Sequence, residues 1–472
     1  MPPPQKAGRL LPLHLAIMER FMMLDDRPGF PMTFVIELTL AGQIDKSAWE
    51  EALVRALEHQ PLLTSVLGQA KGGKTCWVAT EHPYPRCNWA TEGVPIERPT
   101  PKESFDLTKE PGLRVWIRQG PERAVVSLQF HHACSDGIGA YRFIGELLAA
   151  YGILVEGPEK HAMSELDPLL LRGRQRRALG CETPTAWSRA RKAIAYALRL
   201  YWGSPVTLAT PKAGSPNTPD PAFPGYATRS LDRDTHQRLR NVAAAGGAVV
   251  NDLLIRDLFL TIERWQKLHG PGSPRARLGI MMATDLRGSE DLSMPATNMV
   301  GYSFLRFAAS ECEQSAPLLD KVVKATNRIK HERAGSTFLE TMLGATSVPG
   351  LLSFMTPTWW SLATIIFSNV SDPSRRFTSK LPRSGGKVRA GNLLLEDITG
   401  IPPYRPGSRA TLSIFQYDRR LTVCLRCDPK VFRYRDAEEL LDLYVDQLRA
   451  SAAPPESASA KPPLDHSDKE GR

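Results

Sequence analysis

The chemistry of this chain is concentrated in seven residues, His131, His132, Ala133, Cys134, Ser135, Asp136 and Gly137. At ordinary residue frequencies, two adjacent histidines followed after three residues by Asp-Gly would arise by accident in about one chain in a thousand of this length. Coincidence is therefore a weak account. An imidazole titrates near neutrality and can take a proton from a hydroxyl or an amine. Two histidines beside a cysteine and an aspartate also raise the question of a metal.

The flanking pattern answers that question. Ala124 to His132 alternates as a strand, with Val126, Leu128 and Phe130 on one face and Val125, Ser127, Gln129 and His131 on the other. Neighbours in an extended chain point to opposite faces, so His131 and His132 would not grip one ion together. After them Asp136 and Gly137 open a helix whose buried stripe is expected to be Ile138, Tyr141, Ile144, Leu148 and Tyr151. The seven residues thus form a strand end, a tight turn and a helix start, and the expectation is a base rather than a metal ligand.

The rest of the sequence bounds the protein around them. The chain has 472 residues, 42% hydrophobic and 23% charged, which suits a globular protein of two domains. Its net charge of +10 favours anionic partners such as phosphates or acidic lipid. Seven cysteines lie scattered; Cys424 and Cys427 are close but have no second pair, which argues against zinc and for reduced thiols in the cytoplasm. The apolar run from Leu10 to Leu24 is broken by His14, Glu19 and Arg20 and does not read as a signal peptide. A second apolar window, Leu351 to Phe367, contains Pro357 and reads as core.

Proline marks the organisation. Six prolines between Ser204 and Gly225 suggest a linker over 206–225, dividing a domain over 1–205 from another over 226–450, with a disordered tail over 451–472. Both halves read as mixed α and β. Strands are expected at Met32 to Leu40, Leu113 to Arg118, Arg277 to Ala283, Ala363 to Asn369, Thr411 to Gln416 and Leu421 to Cys427. Helices are expected after Asp45, over Asn251 to Trp265 and over Ala437 to Leu448. Arg172, Arg174, Arg176 and Arg177 precede a basic, aromatic helix near 187–202. That helix reads either as peripheral contact with anionic lipid or as a solvated bridge between domains. No nucleic-acid motif accompanies the charge.

The histidine segment resembles the HHxxxDG motif of the CoA-dependent acyltransferase superfamily, which includes chloramphenicol acetyltransferase, condensation domains of peptide synthetases and bacterial wax ester synthase/diacylglycerol acyltransferases. The last group is resembled further by Met22, Met23, Leu24, Asp25 and Asp26, by Val250, Asn251 and Asp252, by Phe367 to Val370, and by Ser413 to Asp418. The resemblance spans roughly residues 15 to 450. It implies two chloramphenicol-acetyltransferase-like domains arranged as a V with the active site at their interface. By resemblance His132 is the base and His131 its support, Asp136 is a structural ion-pairing residue, and Gly137 leaves room for substrate. Candidate oxyanion or substrate contacts are Asn298, Ser368, Asn369 and Ser413. Relatives often carry Arg where this chain has Thr64, so another cation must hold Asp136; the candidate is Arg287, in a turn after a strand. Ser371, Asp372 and Pro373 replace a Pro-Gly-Pro turn.

The activity so implied is transfer of an acyl group from acyl-CoA to an alcohol hydroxyl, with a wax ester or acylglycerol as product and no bound cofactor. The alternative is condensation from a carrier-protein thioester to an ester or amide. A catalytically silent lipid-binding relative is the third reading, and intact His132, Asp136 and Gly137 argue against it.

Overall fold

The computed structural model describes residues 10–96, 104–179, 202–216, 225–354, 361–405 and 407–453, with 191, 194–196, 198 and 223 besides. Two sheets organise it. In the first, strands follow the order Cys87–Thr91, Leu113–Gln119, Arg123–His131, Thr33–Ala41, Leu393–Ile401, Lys387–Ala390 and Arg383–Ser384. Thr33–Ala41 shows why such segments form: Ile36, Leu38 and Leu40 are buried in alternation with half-exposed Glu37 and Thr39. It pairs antiparallel with the histidine strand, Thr33 opposite His131 and Leu38 opposite Val126.

The second sheet runs Val300–Ala308, Arg277–Asp285, Ile365–Ser371, Ala410–Tyr417, Arg420–Cys427 and Tyr226–Leu231. Ile365–Ser371 lies parallel to both its neighbours, and the other pairings are antiparallel. Helices Val250–His269 and Tyr434–Ala452 pack against it; Leu254, Phe259, Leu441 and Leu448 are fully buried in its core. The strands and helices expected within the described residues occur, with ends displaced by a few residues.

Three expectations are corrected. The chain does not divide cleanly at the prolines. Leu393–Ile401 and Lys387–Ala390, from the second half, complete the first sheet, with Ile401 opposite Val35 and Leu394 opposite Ala41. Nor is 206–225 a free linker where it is described: Leu208 and Ala209 are buried in the second core, and Val206 donates its N–H to Arg277 O at 2.9 Å. The helix after the histidines, Gly137–Glu156, is buried almost all round rather than on one stripe, with Arg142 and Glu146 inside as well. Among the described residues it alone is long and apolar enough to cross a bilayer, and 78% of its apolar window is buried within the protein.

The basic helix near 187–202 lies mostly outside the described residues, as does the tail beyond 453. Of the arginines leading to it, Arg174 is buried and paired with buried Glu19 through contacts of 2.6 and 2.7 Å. Arg177 bonds Asp291 at 3.1 Å. Part of the basic run therefore serves internal pairing.

Candidate active site

Strand pairing persists one residue past the histidine strand, because His132 N–H donates to Met32 O at 2.8 Å. A turn follows, closed by Cys134 N–H on His131 O, and Asp136 caps the next helix by accepting from Gly139 N–H at 2.8 Å. The backbone there is tightly enclosed. A Cβ on Gly139 would meet Thr297 backbone atoms at 3.0 Å, so the helix start and the second lobe touch directly.

Alternation sends the two histidines to different tasks. His131 is fully buried: Nδ1 accepts from Ala133 N–H at 3.1 Å, which leaves Nε2 as the nitrogen that donates to Asp26 Oδ2 at 3.2 Å. His132 is half-buried, with its ring beside Phe34 at 5.0 Å. Its Nδ1 lies 3.1 Å from Asn298 Nδ2, and the same amide nitrogen donates to the His132 carbonyl at 2.7 Å. Val300 N–H holds Asn298 Oδ1 at 3.2 Å and so fixes which way the amide points. Burial is the largest influence on His132 and pushes its pKa down to about 4; the Asp136 carboxylate pulls the other way. At neutral pH the ring is uncharged and able to accept a proton.

Asp136 itself is saturated. Arg287 Nη1 and Nη2 approach its two oxygens at 2.8 and 3.0 Å, and N–H groups of Gly139 and Met299 each donate at 2.8 Å. Burial opposes the charge, but the Arg287 guanidinium and the backbone donors outweigh it and hold the carboxyl below its usual range. Arg287 also reaches Thr297 O at 2.7 Å. The pair ties the first lobe's histidine turn to the second lobe. Thr64 takes no part: its hydroxyl bonds the Gln60 carbonyl at 3.1 Å.

A cavity of about 100 Å³ lies where the lobes meet, with His132 and Gly137 on its wall. Met32, Phe34, Val35 and Ile36 contribute from the first lobe and Met281, Ile366 to Ser368, Thr411, Ser413 and Phe415 from the second, so the lining is largely apolar. A Cβ on Gly137 would meet only Tyr141 Cε2, at 3.8 Å, so the space beside Gly137 belongs to the cavity.

The candidate contacts separate. Ser368 and Ser413 are register partners on adjacent strands and both line the cavity. Asn369 does not: its Nδ2 bonds Asn251 Oδ1 at 3.0 Å and its Oδ1 accepts from Ser371 N–H, so it ties its strand to the start of helix Val250–His269. Asn298 donates to the His132 carbonyl and is placed to position that residue rather than to meet an oxyanion. The sequence reading missed Arg405, which lines the cavity and pairs with buried Asp25. Asp25 and Asp26 had drawn notice as a block; two adjacent acids closing an apolar helix were the available signal.

No protein-family model matches the chain. Over 268 residues, 52% of its length, the chain is 26% identical to a probable non-canonical nonribosomal peptide synthetase, CymA, of Salinispora arenicola (strain CNS-205), and the match spans 3% of that protein. Among solved structures, the first condensation domain of the calcium-dependent antibiotic synthetase superposes with a TM-score of 0.66 at 17% identity, covering 94% of this chain and 96% of that one. Trichothecene 15-O-acetyltransferase of Fusarium sporotrichioides gives 0.68 at 12% identity, covering 93% and 94%. The chain has the two-lobed fold that these condensation-domain and acetyltransferase structures share.

Proposed function

We propose that this protein is a condensation-type acyltransferase that joins an acyl group, delivered as a carrier-protein thioester, to an amine or hydroxyl acceptor. The observation that carries the reading is an uncharged His132 on the wall of an apolar cavity between two lobes, its backbone carbonyl held by the Asn298 amide. The ring acts as base through Nε2 in the tautomer that carries its proton on Nδ1, where the ring N–H faces backbone oxygen and the Asn298 amide bonds the His132 carbonyl rather than the ring. As the acceptor's N or O forms a bond to the thioester carbon, its proton passes to Nε2. The tetrahedral intermediate collapses with loss of the C–S bond, and the proton is returned to the departing thiolate. Ser413, buried on the cavity wall, serves as the donor toward the oxyanion, with Ser368 beside it. The likeness to peptide-synthetase sequence favours this reading over the wax ester one.

Presenting one acyl group as a carrier-protein thioester and as acyl-CoA, to matched amines and alcohols, tests the proposal through free thiol and product. Turnover from the carrier thioester supports it. Esters formed from acyl-CoA alone would replace it with an O-acetyltransferase-like activity, and esters of long alcohols would return the wax ester reading. Release from neither donor would leave a silent relative.

The base has a pH signature. Because the ring's pKa is lowered to about 4, a hydroxyl acceptor should give a kcat/KM that falls with decreasing pH only as the pH approaches 4 and is flat through neutrality. An acid limb centred near the ordinary histidine value of about 6.5 would contradict that environment.

A further inference from the structure

Arg405 enters the cavity from the segment that follows the crossover strand Leu393–Ile401, and it is only 5% exposed. Nε and Nη2 are engaged by the Asp25 carboxylate, the latter at 3.1 Å, and the guanidinium stacks over Phe21 at 5.1 Å. Nη1 is different. Among the described residues its partner is the sulfur of Met281 at 3.8 Å, and Met281 is itself a cavity residue. A thioether is a weak acceptor, and a buried guanidinium with unmet N–H groups is costly.

The surroundings define what would satisfy it. Asp25 already balances the charge, so a second full anion would place a net negative charge among apolar walls. A plain hydrocarbon chain would leave Nη1 facing carbon. A neutral oxygen acceptor meets both conditions.

We propose that Arg405 is a specificity-determining residue that donates from Nη1 to a neutral carbonyl oxygen, of an amide or a ketone, on the substrate held beside His132. This rests on the transferase reading and narrows it to acyl groups that carry a carbonyl besides the reacting one. Helix Ile17–Asp25 links the two functions, since Asp25 pairs with Arg405 while the next residue, Asp26, holds His131.

The test uses pantetheine thioesters in matched pairs that differ only in a carbonyl against a methylene: 3-oxo-, 4-oxo- and 5-oxoacyl chains and N-acetylaminoacyl groups. In at least one pair the carbonyl-bearing donor should be preferred by about tenfold or more in kcat/KM, as expected where a buried donor loses its acceptor. That ratio should fall toward one in Asp25→Asn/Arg405→Met, which removes both charges together, and it should be reduced in Arg405→Lys, which keeps the charge without the planar fork. Pairs that all agree within about twofold in the unaltered protein would overturn the proposal without any variant, as would a preference that survives Arg405→Met in the double variant. Equilibrium binding of the corresponding S-alkyl pantetheine thioethers separates this proposal from the transferase reading. A carbonyl preference in binding without turnover keeps Arg405 and sinks the transfer; equal binding sinks Arg405 whatever the turnover.

Discussion

Replacing His132 with alanine is expected to lower kcat/KM by about two to four orders of magnitude, the range over which a positioned general base contributes. The loss should fall mainly on kcat. His131 cannot stand in: it is fully buried, its Nδ1 is occupied by Ala133 N–H, and its Nε2 faces Asp26. Cys134 is no substitute either, because burial raises its thiol well above the ordinary range and keeps it protonated. The variant should fold, since His132 is only half-buried and its ring borders open space. Thiol release under single-turnover conditions, with a melting curve for each protein, makes the measurement. Unchanged release by a folded His132→Ala protein would remove His132 as the base.

What the sequence made legible was local. Alternation through Val126, Leu128 and Phe130 set the faces of the histidine strand, and Asp136 announced a helix cap, because both signals lie within a few residues of their effect. Arg287 was within reach because a turn after a strand is a small target. Long-range pairing was not legible in the same way. Leu393–Ile401 has the composition of a strand, but nothing in it names Thr33–Ala41 as its partner, more than three hundred residues earlier. Asp25 and Arg405, 380 residues apart, are invisible as a pair until the crossover is drawn.

Polarity also misled where burial reversed its meaning. Glu19 breaks the apolar run at the N-terminus, yet it is fully buried and accepts from both Arg174 and Trp77 Nε1. Arg174 of the basic run and Glu19 of the apolar one are two halves of one internal ion pair. Prolines likewise suggested a linker, while Leu208 and Ala209 among them bury against the second core. Composition counts charges and prolines but does not see which of them have partners.

The largest effect on stability is expected at Asp136. Its carboxylate and the Arg287 guanidinium are both buried, and four donors converge on the carboxylate, so Asp136→Ala removes the cation's buried counter-charge, leaving it the part-exposed Asp285 at 3.1 Å, and also leaves Gly139 and Met299 N–H groups unmet. Breaking such a pair from one side costs about 3–5 kcal/mol, which a lowered urea midpoint would register. Asp136→Asn/Arg287→Met should recover a substantial part, because no buried charge is then stranded and Asp285, which loses Arg287, is partly exposed. The pair also has a pH sign. A carboxyl held below its unfolded value contributes stability above that value, about 3.9 for aspartate, and loses it as the pH falls through the lowered folded value. The double variant should lack this acid-side loss while matching the unaltered protein's flat response around neutrality. Since Asp136 lies in the first lobe and Arg287 in the second, a double-mutant cycle on unfolding measures how strongly the two lobes are joined at the histidine turn. Coupling of a few tenths of a kcal/mol or less would mean that backbone contacts such as Gly139 against Thr297, not the ion pair, hold the lobes together there.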